Sequence, residues 1–295
     1  MQRRTFIQTT GTIASLSTVP SWIKLFNPSQ YEMVMLRRNV GYYTEKGGTI
    51  GWLIQKDASV IIDSQFREQA SHLIEELNKR ESSPIRYLLN THHHQDHTNG
   101  NLAFKGLAQN VLAHENSKTN QINAAKKNGN EAQQLYPDMV YTERWQEKTG
   151  DESIDIQYWG PGHTNGDSII HFQEANVVHC GDLVFNRRYP FIDKSTGARI
   201  DNWIEILHRM YSNFDNDTIF IYGHARDGFP VTGGKDDLIA FADYLTALME
   251  FVSKEIQAGK TKDQIMLATS IPGAPQWQGD GVDKSLSSAY QELTE

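Results

Sequence analysis

The sequence predicts an α/β protein, with one large domain behind a short N-terminal targeting segment. Three observations lead there. Strand-like and helical runs alternate loosely along the chain, Gly-Gly and Lys-Asp turns separate many of them, and neither a linker nor a short-period repeat divides the 295 residues. A chain of that length can bury a substantial core within one domain.

Composition removes several functional classes. Hydrophobic content of 38% and charged content of 22% describe an ordinary globular protein. A net charge of −8 disfavours a nucleic-acid partner, because phosphate binding requires a basic surface. Cys180 is the single cysteine, so no intramolecular disulfide can form. No run reaches the roughly 18 apolar residues of a membrane span, so no span is expected in the mature domain.

The N-terminus departs from this background. Arg3 and Arg4 precede Phe6 and Ile7, and a weakly apolar, Thr/Gly/Ala-rich stretch without acidic residues follows. That is the pattern of a twin-arginine export signal, expected over residues 1–28 with the main domain over 29–295. It implies the twin-arginine translocase as a partner and a periplasmic or exported location. No A-x-A cleavage site follows, so an uncleaved anchor is compatible with the same residues. Export after folding suits a protein that acquires metal in the cytoplasm, since metal binding and folding are coupled.

The elements then follow in order. Residues 31–64 hold three or four β-rich runs, and residues 67–80 form a helix with Ala70, Leu73, Ile74 and Leu77 at helical spacing. A short buried strand over 85–91 delivers a histidine cluster at its C-terminal end. A short helix after Asn101, a strand over 110–114 and a polar helix near 115–127 come next, and 126–138 reads as a loop or lid. Strands recur over 140–145, 153–160, 167–173 and 176–182. A helix over 202–210, a strand over 218–223 and helices over 235–258 and 261–268 complete the reading. The segment around Trp277 reads as a terminal loop.

The cluster is NTHHHQDHTNGN, residues 90–101, with four histidines and an aspartate within six positions. Protonated, so many imidazoles would repel one another; a metal would hold them neutral. In an extended segment His92, His94 and Asp96 share one side and His93 and Gln95 the other. His97 falls where the chain turns toward a helix, close enough to join them. Three imidazoles and a carboxylate form a zinc-type donor set. Downstream, His163 in GPGHTNGD, Asp182 in HCGDLVF and His224 in YGHA each follow an apolar β run near a glycine, where α/β folds gather their sites.

The full set, Asp63, H-x-H-x-D-H at 92–97, G-H-T at 162–164, G-D at 181–182 and His224, resembles the metallo-β-lactamase superfamily over about residues 31–260. The resemblance implies a four-layer αβ/βα sandwich with metals in a groove along one edge. It implies that His92, His94 and His163 hold one zinc, that Asp96, His97 and His224 hold a second, and that Asp182 bridges both. Asp63 would orient a ligand imidazole from behind. Two metals roughly 3.5–4 Å apart could share a water and deliver it as hydroxide to an ester, thioester, lactone or related bond of a small molecule. Asp96 would help to orient it. Iron or manganese fits the same donors.

The resemblance also ranks the chemistries. Family β-lactamases usually carry Cys or Ser where this chain has Asp182, whereas Asp is typical of glyoxalase II-like thioesterases, lactonases and phosphodiesterases. Hydrolysis of β-lactam amides is therefore the alternative. Diiron redox relatives usually have Glu in place of His94, which leaves a redox or non-catalytic metal-binding protein as a further alternative. Around the groove, Arg187, Arg188 and Tyr189 are candidates for binding an anionic substrate, and Tyr222 for donating to an oxyanion. Solvated arginines and a core tyrosine are the plainer readings of the same residues.

Overall fold

In the computed structural model the described residues are 31–80 and 83–295. The twin-arginine pattern lies outside them. Two sheets carry the fold. The first has seven strands in the order β1 (Glu32–Arg37), β2 (Val40–Thr44), β3 (Ile50–Ile54), β4 (Ser59–Ile62), β5 (Ile85–Leu89), β6 (Ala108–His114) and β7 (Met139–Tyr141). Pairing is antiparallel from β1 to β4 and parallel from β4 to β7, across the helices α1 (Arg67–Lys79), α2 (Gln95–Thr98) and α3 (Glu115–Asn128).

The second half supplies β8 (Arg144–Thr149), β9 (Glu152–Gln157), β10 (Ile169–Phe172), β11 (Val177–His179), β12 (Phe185–Asn186), β13 (Ile219–Ile221), β14 (His224–Ala225) and β15 (Thr232–Gly233). Six of these form a sheet in the order β15-β13-β11-β10-β9-β8, while β12 and β14 make a small ribbon beside the site. Helix α4 (Ile200–Asn213) lies between β12 and β13, and α5 (Lys235–Gln257), α6 (Lys262–Ile265) and α7 (Val282–Thr294) follow β15.

Side-chain alternation in the strands builds the layers. Val60 and Ile62 of β4 and Tyr87 and Leu89 of β5 meet Ile170, Phe172, Val177 and Ile221 of the other sheet. Their neighbours face outward. Ile61 and Leu88 pack with Leu73 and Leu77 of α1, and Ile169, Val178 and Phe220 pack with Trp203, Leu207 and Leu245 of α4 and α5. Strands buried on both faces carry near-continuous apolar runs, which is why SVII, IIHF and VVH show no polar alternation. Helix, sheet, sheet and helix therefore stack as an αβ/βα sandwich.

Three local expectations change. Strand β11 stops at His179, and residues 181–183 turn as a short 3-10 helix, so the strand expected over 176–182 ends before Cys180. That cysteine is a buried core residue whose thiol meets the Ile221 carbonyl at 3.0 Å. The C-terminal segment is also more than a loop, because Val282–Thr294 is helical and Trp277 is buried against Phe241 and Tyr244. The helix over 261–268 shortens to Lys262–Ile265. Among the described residues no helix is long and apolar enough to cross a membrane.

Candidate metal centre

The site sits where β4, β5, β9, β11 and β13 end. Asp63 follows β4 directly and is held with φ of 62°, a left-handed conformation that Asp tolerates better than most residues. Its Oδ1 accepts the Thr91 amide at 2.8 Å, and its Oδ2 accepts the Thr91 hydroxyl and the His97 Nδ1–H, each at 2.7 Å. The carboxylate thus ties the end of β4 to the histidine segment after β5.

Strand-like alternation holds only as far as His94, which is the N-cap of the short α2; Asp96 and His97 are placed by that helix. His163 comes from the loop between β9 and β10. Asp167 fastens that loop by accepting the Thr164 amide at 2.9 Å, the Thr164 hydroxyl at 2.6 Å and the Gly162 amide at 3.3 Å. Burial pushes the Asp167 carboxyl up to about 7. Asp182 sits in the 3-10 turn after β11, and His224 opens β14.

These seven side chains converge. One group brings donor atoms of His92, His94, His163 and Asp182 within 4.8 Å of one another, and another does so for Asp96, His97 and His224. Asp182 lies between them. Its Oδ2 is 3.4 Å from His163 Nε2, 3.8 Å from His92 Nε2 and 3.5 Å from His224 Nε2, and its Oδ1 is 3.0 Å from His97 Nε2. His224 Nε2 is also 3.1 Å from Asp96 Oδ2.

The outer hydrogen bonds decide which ring nitrogens are free. Carboxylate and carbonyl oxygens only accept. His97 therefore gives its Nδ1 proton to Asp63, and His163 gives its Nδ1 proton to the Phe191 carbonyl at 2.7 Å. His94 gives its Nε2 proton to Asp193 Oδ2 at 3.0 Å. The Thr91 hydroxyl spends its only proton on Asp63, so at 3.0 Å it accepts from His92 Nδ1. On neutral rings the inward atoms, His92 Nε2, His94 Nδ1, His163 Nε2 and His97 Nε2, are then lone pairs.

Those lone pairs crowd together. His94 Nδ1 is 3.1 Å from His92 Nε2 and 2.9 Å from His163 Nε2, with no proton to share between them. His97 Nε2 and Asp182 Oδ1 are buried 3.0 Å apart, yet neither has a hydrogen-bond partner. Unpaired buried polar atoms are costly, and bound metal is the usual resolution. The donor set fits divalent cations.

Electrostatics agree. Burial holds His163 down to about 3 and His92 well below the ordinary imidazole value, so both stay neutral and able to ligate. Burial acts on His97 in the same sense, but the carboxylates of Asp182, Asp63 and Asp96 outweigh it and raise His97 well above that value, so its Nε2 holds a proton that a bound cation would displace. Burial opposes ionisation of Asp182, and the His224 and His97 imidazoles overcome it, so its carboxyl is lowered. A concentration of opposed carboxylates and imidazoles of this kind is typical of functional sites.

Two glycines make room. A Cβ on Gly48 would lie 2.3 Å from His97 Nε2, and one on Gly223 would lie 1.9 Å from Asp182 Oδ1. Any side chain at either position would displace a donor.

The remaining candidates separate. Arg188 and Tyr189 line a cavity of about 370 Å³ with His94, Asp96, Asp182 and His224. Arg187 does not: its guanidinium lies 3.7 Å from Asp237 and 4.8 Å over the Trp277 ring. Tyr222 is also turned away, because strand alternation sends it to the helix side, where it is fully buried and its hydroxyl donates to Asp237 Oδ2 at 3.0 Å. It cannot serve as an oxyanion donor. His93 faces the loop carrying Asp193, 3.6 Å from that carboxylate, and its Nδ1 is buried without a partner. Sequence reasoning missed Asp193 and Thr91, since nothing in their local pattern distinguishes them from turn residues.

A sandwich with histidines and aspartates gathered at its strand ends is the architecture of a metal-site α/β protein. The chain belongs to the metallo-beta-lactamase superfamily, whose family model matches residues 44–224. It is 24% identical over 177 residues to a metallo-beta-lactamase of Chryseobacterium indologenes, covering 59% of this chain and 70% of the relative. It is 22% identical over 232 residues to a type 2 metallo-beta-lactamase of Bacillus sp. (strain 170), covering 76% and 87%. The fold is shared with a solved metallo-beta-lactamase from Pontibacter korlensis at TM-score 0.59 and 18% identity, covering 73% of this chain and 99% of that one.

Proposed function

We propose that this protein is an exported, metal-dependent hydrolase with two zinc ions in one site. His92, His94 and His163 would hold the first, Asp96, His97 and His224 the second, and Asp182 would bridge them. The observation that carries this reading is the position of Asp182, whose two oxygens lie within 3.0–3.8 Å of ring nitrogens from both groups. Divalent cations in such a set supply Lewis acidity and a water ionised near neutral pH.

The chain's own residues do the positioning. Asp63, Asp193, Thr91 and the Phe191 carbonyl fix the tautomers of His97, His94, His92 and His163, so that on neutral rings these four turn a lone pair inward. The Asp96 side chain, about one-third exposed, faces the cavity and can orient a reacting water. The cavity has room for a small molecule, and we take the bond cleaved to be an ester, thioester, lactone or related bond. A β-lactam amide is the second reading, favoured by the relatives' activities.

Metal analysis of the purified protein, with turnover of ester, thioester, lactone and β-lactam reporters, tests the proposal. About two zincs per chain with metal-dependent turnover is expected. Metal-free protein, or loaded protein inert on the whole panel, would overturn it. Export rests on Arg3 and Arg4 and has its own test: replacing both by Lys should retain the precursor in the cytoplasm, and undiminished periplasmic protein would refute the signal.

A further inference from the structure

The cavity has a wall that lies outside the family match. The match ends at residue 224, yet Asp280, Gly281 and Lys284 line the same space as Asp96 and His224. They belong to the start of α7, which is fastened to the loop after Asp182. The Ser285 hydroxyl donates to the Pro190 carbonyl at 3.2 Å. The Glu292 carboxylate accepts the Ile200 and Asp201 amides at 2.9 and 3.0 Å and the Lys194 ammonium at 3.1 Å. The wall is built, not incidental.

One backbone feature sends Arg188 to this wall. Arg187 has φ of 60°, a strained conformation for a residue with a side chain. The turn directs Arg187 to Asp237 and Trp277, while Arg188 forms a backbone bridge to Gln278 and lines the cavity. Arg188 and Lys284 thus border one space. Among the described residues neither has a carboxylate within ion-pair distance, and the inner carboxylates Asp96 and Asp182 face imidazoles. Phe185, Pro190 and Phe191 add apolar surface to the same cavity.

We propose that α7 makes this a site for substrates that carry a carboxylate, with Lys284 and Arg188 binding the anion and the apolar surface holding the carbon body. This inference rests on the hydrolase reading for the bond that is broken, but not for the anion that is bound. Asp280 opposes the anion and tunes the preference.

The test uses the zinc-loaded full chain and a matched pair of substrates, the 4-nitrophenyl half-ester of glutaric acid and neutral 4-nitrophenyl valerate. The ratio of their kcat/KM values should fall by up to about fivefold in Lys284→Gln, the upper end for one exposed ion pair, and further in Lys284→Gln with Arg188→Gln. It should rise in Asp280→Asn. Calorimetric binding of glutaric acid monoamide should follow the same order. Ester turnover with an unmoved ratio and unmoved binding overturns the anion site and leaves the hydrolase reading standing. Binding shifts without any turnover do the reverse.

Discussion

Asp63 Oδ2 and His97 Nδ1 are 2.7 Å apart, both side chains fully sealed from solvent. A carboxylate reached by the first half of the sandwich thereby aims an imidazole at the metal centre. Asp63→Asn keeps the volume but can present an N–H to a ring nitrogen that is itself a donor. Metal affinity and turnover should drop by about 10–100-fold, the usual cost of losing such a partner. Titration with zinc against a competing chelator checks this; wild-type affinity would show that Asp63 only closes the turn at Thr91.

Asp182 turns its two oxygens toward ring nitrogens of both donor groups. Asp182→Ala should leave no more than one metal per chain and remove most activity, because His97 Nε2 then loses its nearest carboxylate oxygen. Metal counting after dialysis reads the result. Two tightly held metals with full turnover in that variant would rule out a bridging role.

Histidines 92, 93 and 94 should behave differently when replaced by alanine. His92 and His94 point lone pairs into the cluster, whereas His93 faces Asp193. His93→Ala should retain both metals with some loss of stability or rate, and the other two should each weaken the first site severely. If all three empty the site equally, the donor assignment is wrong.

Gly223→Ala places a methyl carbon 1.9 Å from Asp182 Oδ1 and 2.9 Å from the Gly181 carbonyl oxygen. The carboxylate must move unless the turn itself gives way. Metal content should fall to that of Asp182→Ala while the far-ultraviolet circular dichroism stays native; full metal content would show that the turn after β13 relaxes.

His179 gives a pH prediction. It is fully buried between the sheets, its Nε2–H donating to the Thr49 carbonyl at 3.0 Å and its Nδ1 accepting the Gly181 amide at 3.2 Å. Burial depresses it to about 4. Below about 6.5 the unfolded chain takes a proton that the fold excludes, so this histidine's contribution is present above pH 6.5 and lost as pH falls toward 4. The loss reaches about 3 kcal/mol. Urea midpoints from pH 7.5 to 4.5 should decline less steeply in His179→Gln than in wild type. Parallel declines would assign the effect to other groups.

The sequence by itself determined the α/β class and marked seven candidate donors, because strand periodicity, donor chemistry and glycine-bounded strand ends are all local properties. H-x-H-x-D-H, G-H-T and G-D are legible for that reason. Tertiary structure decided what depends on distant contacts. Asp193 became a partner of His94 across 99 residues. Of two adjacent arginines, a left-handed backbone at Arg187 turned one to Asp237 and the other to the cavity. Tyr222 was lost to the core because strand alternation faces it toward α5. The C-terminal helix supplied one wall of the cavity although nothing near Lys284 in sequence resembles a site. Local pattern fixes which chemistry is present; the packing of segments far apart in the chain fixes which side chains share one space.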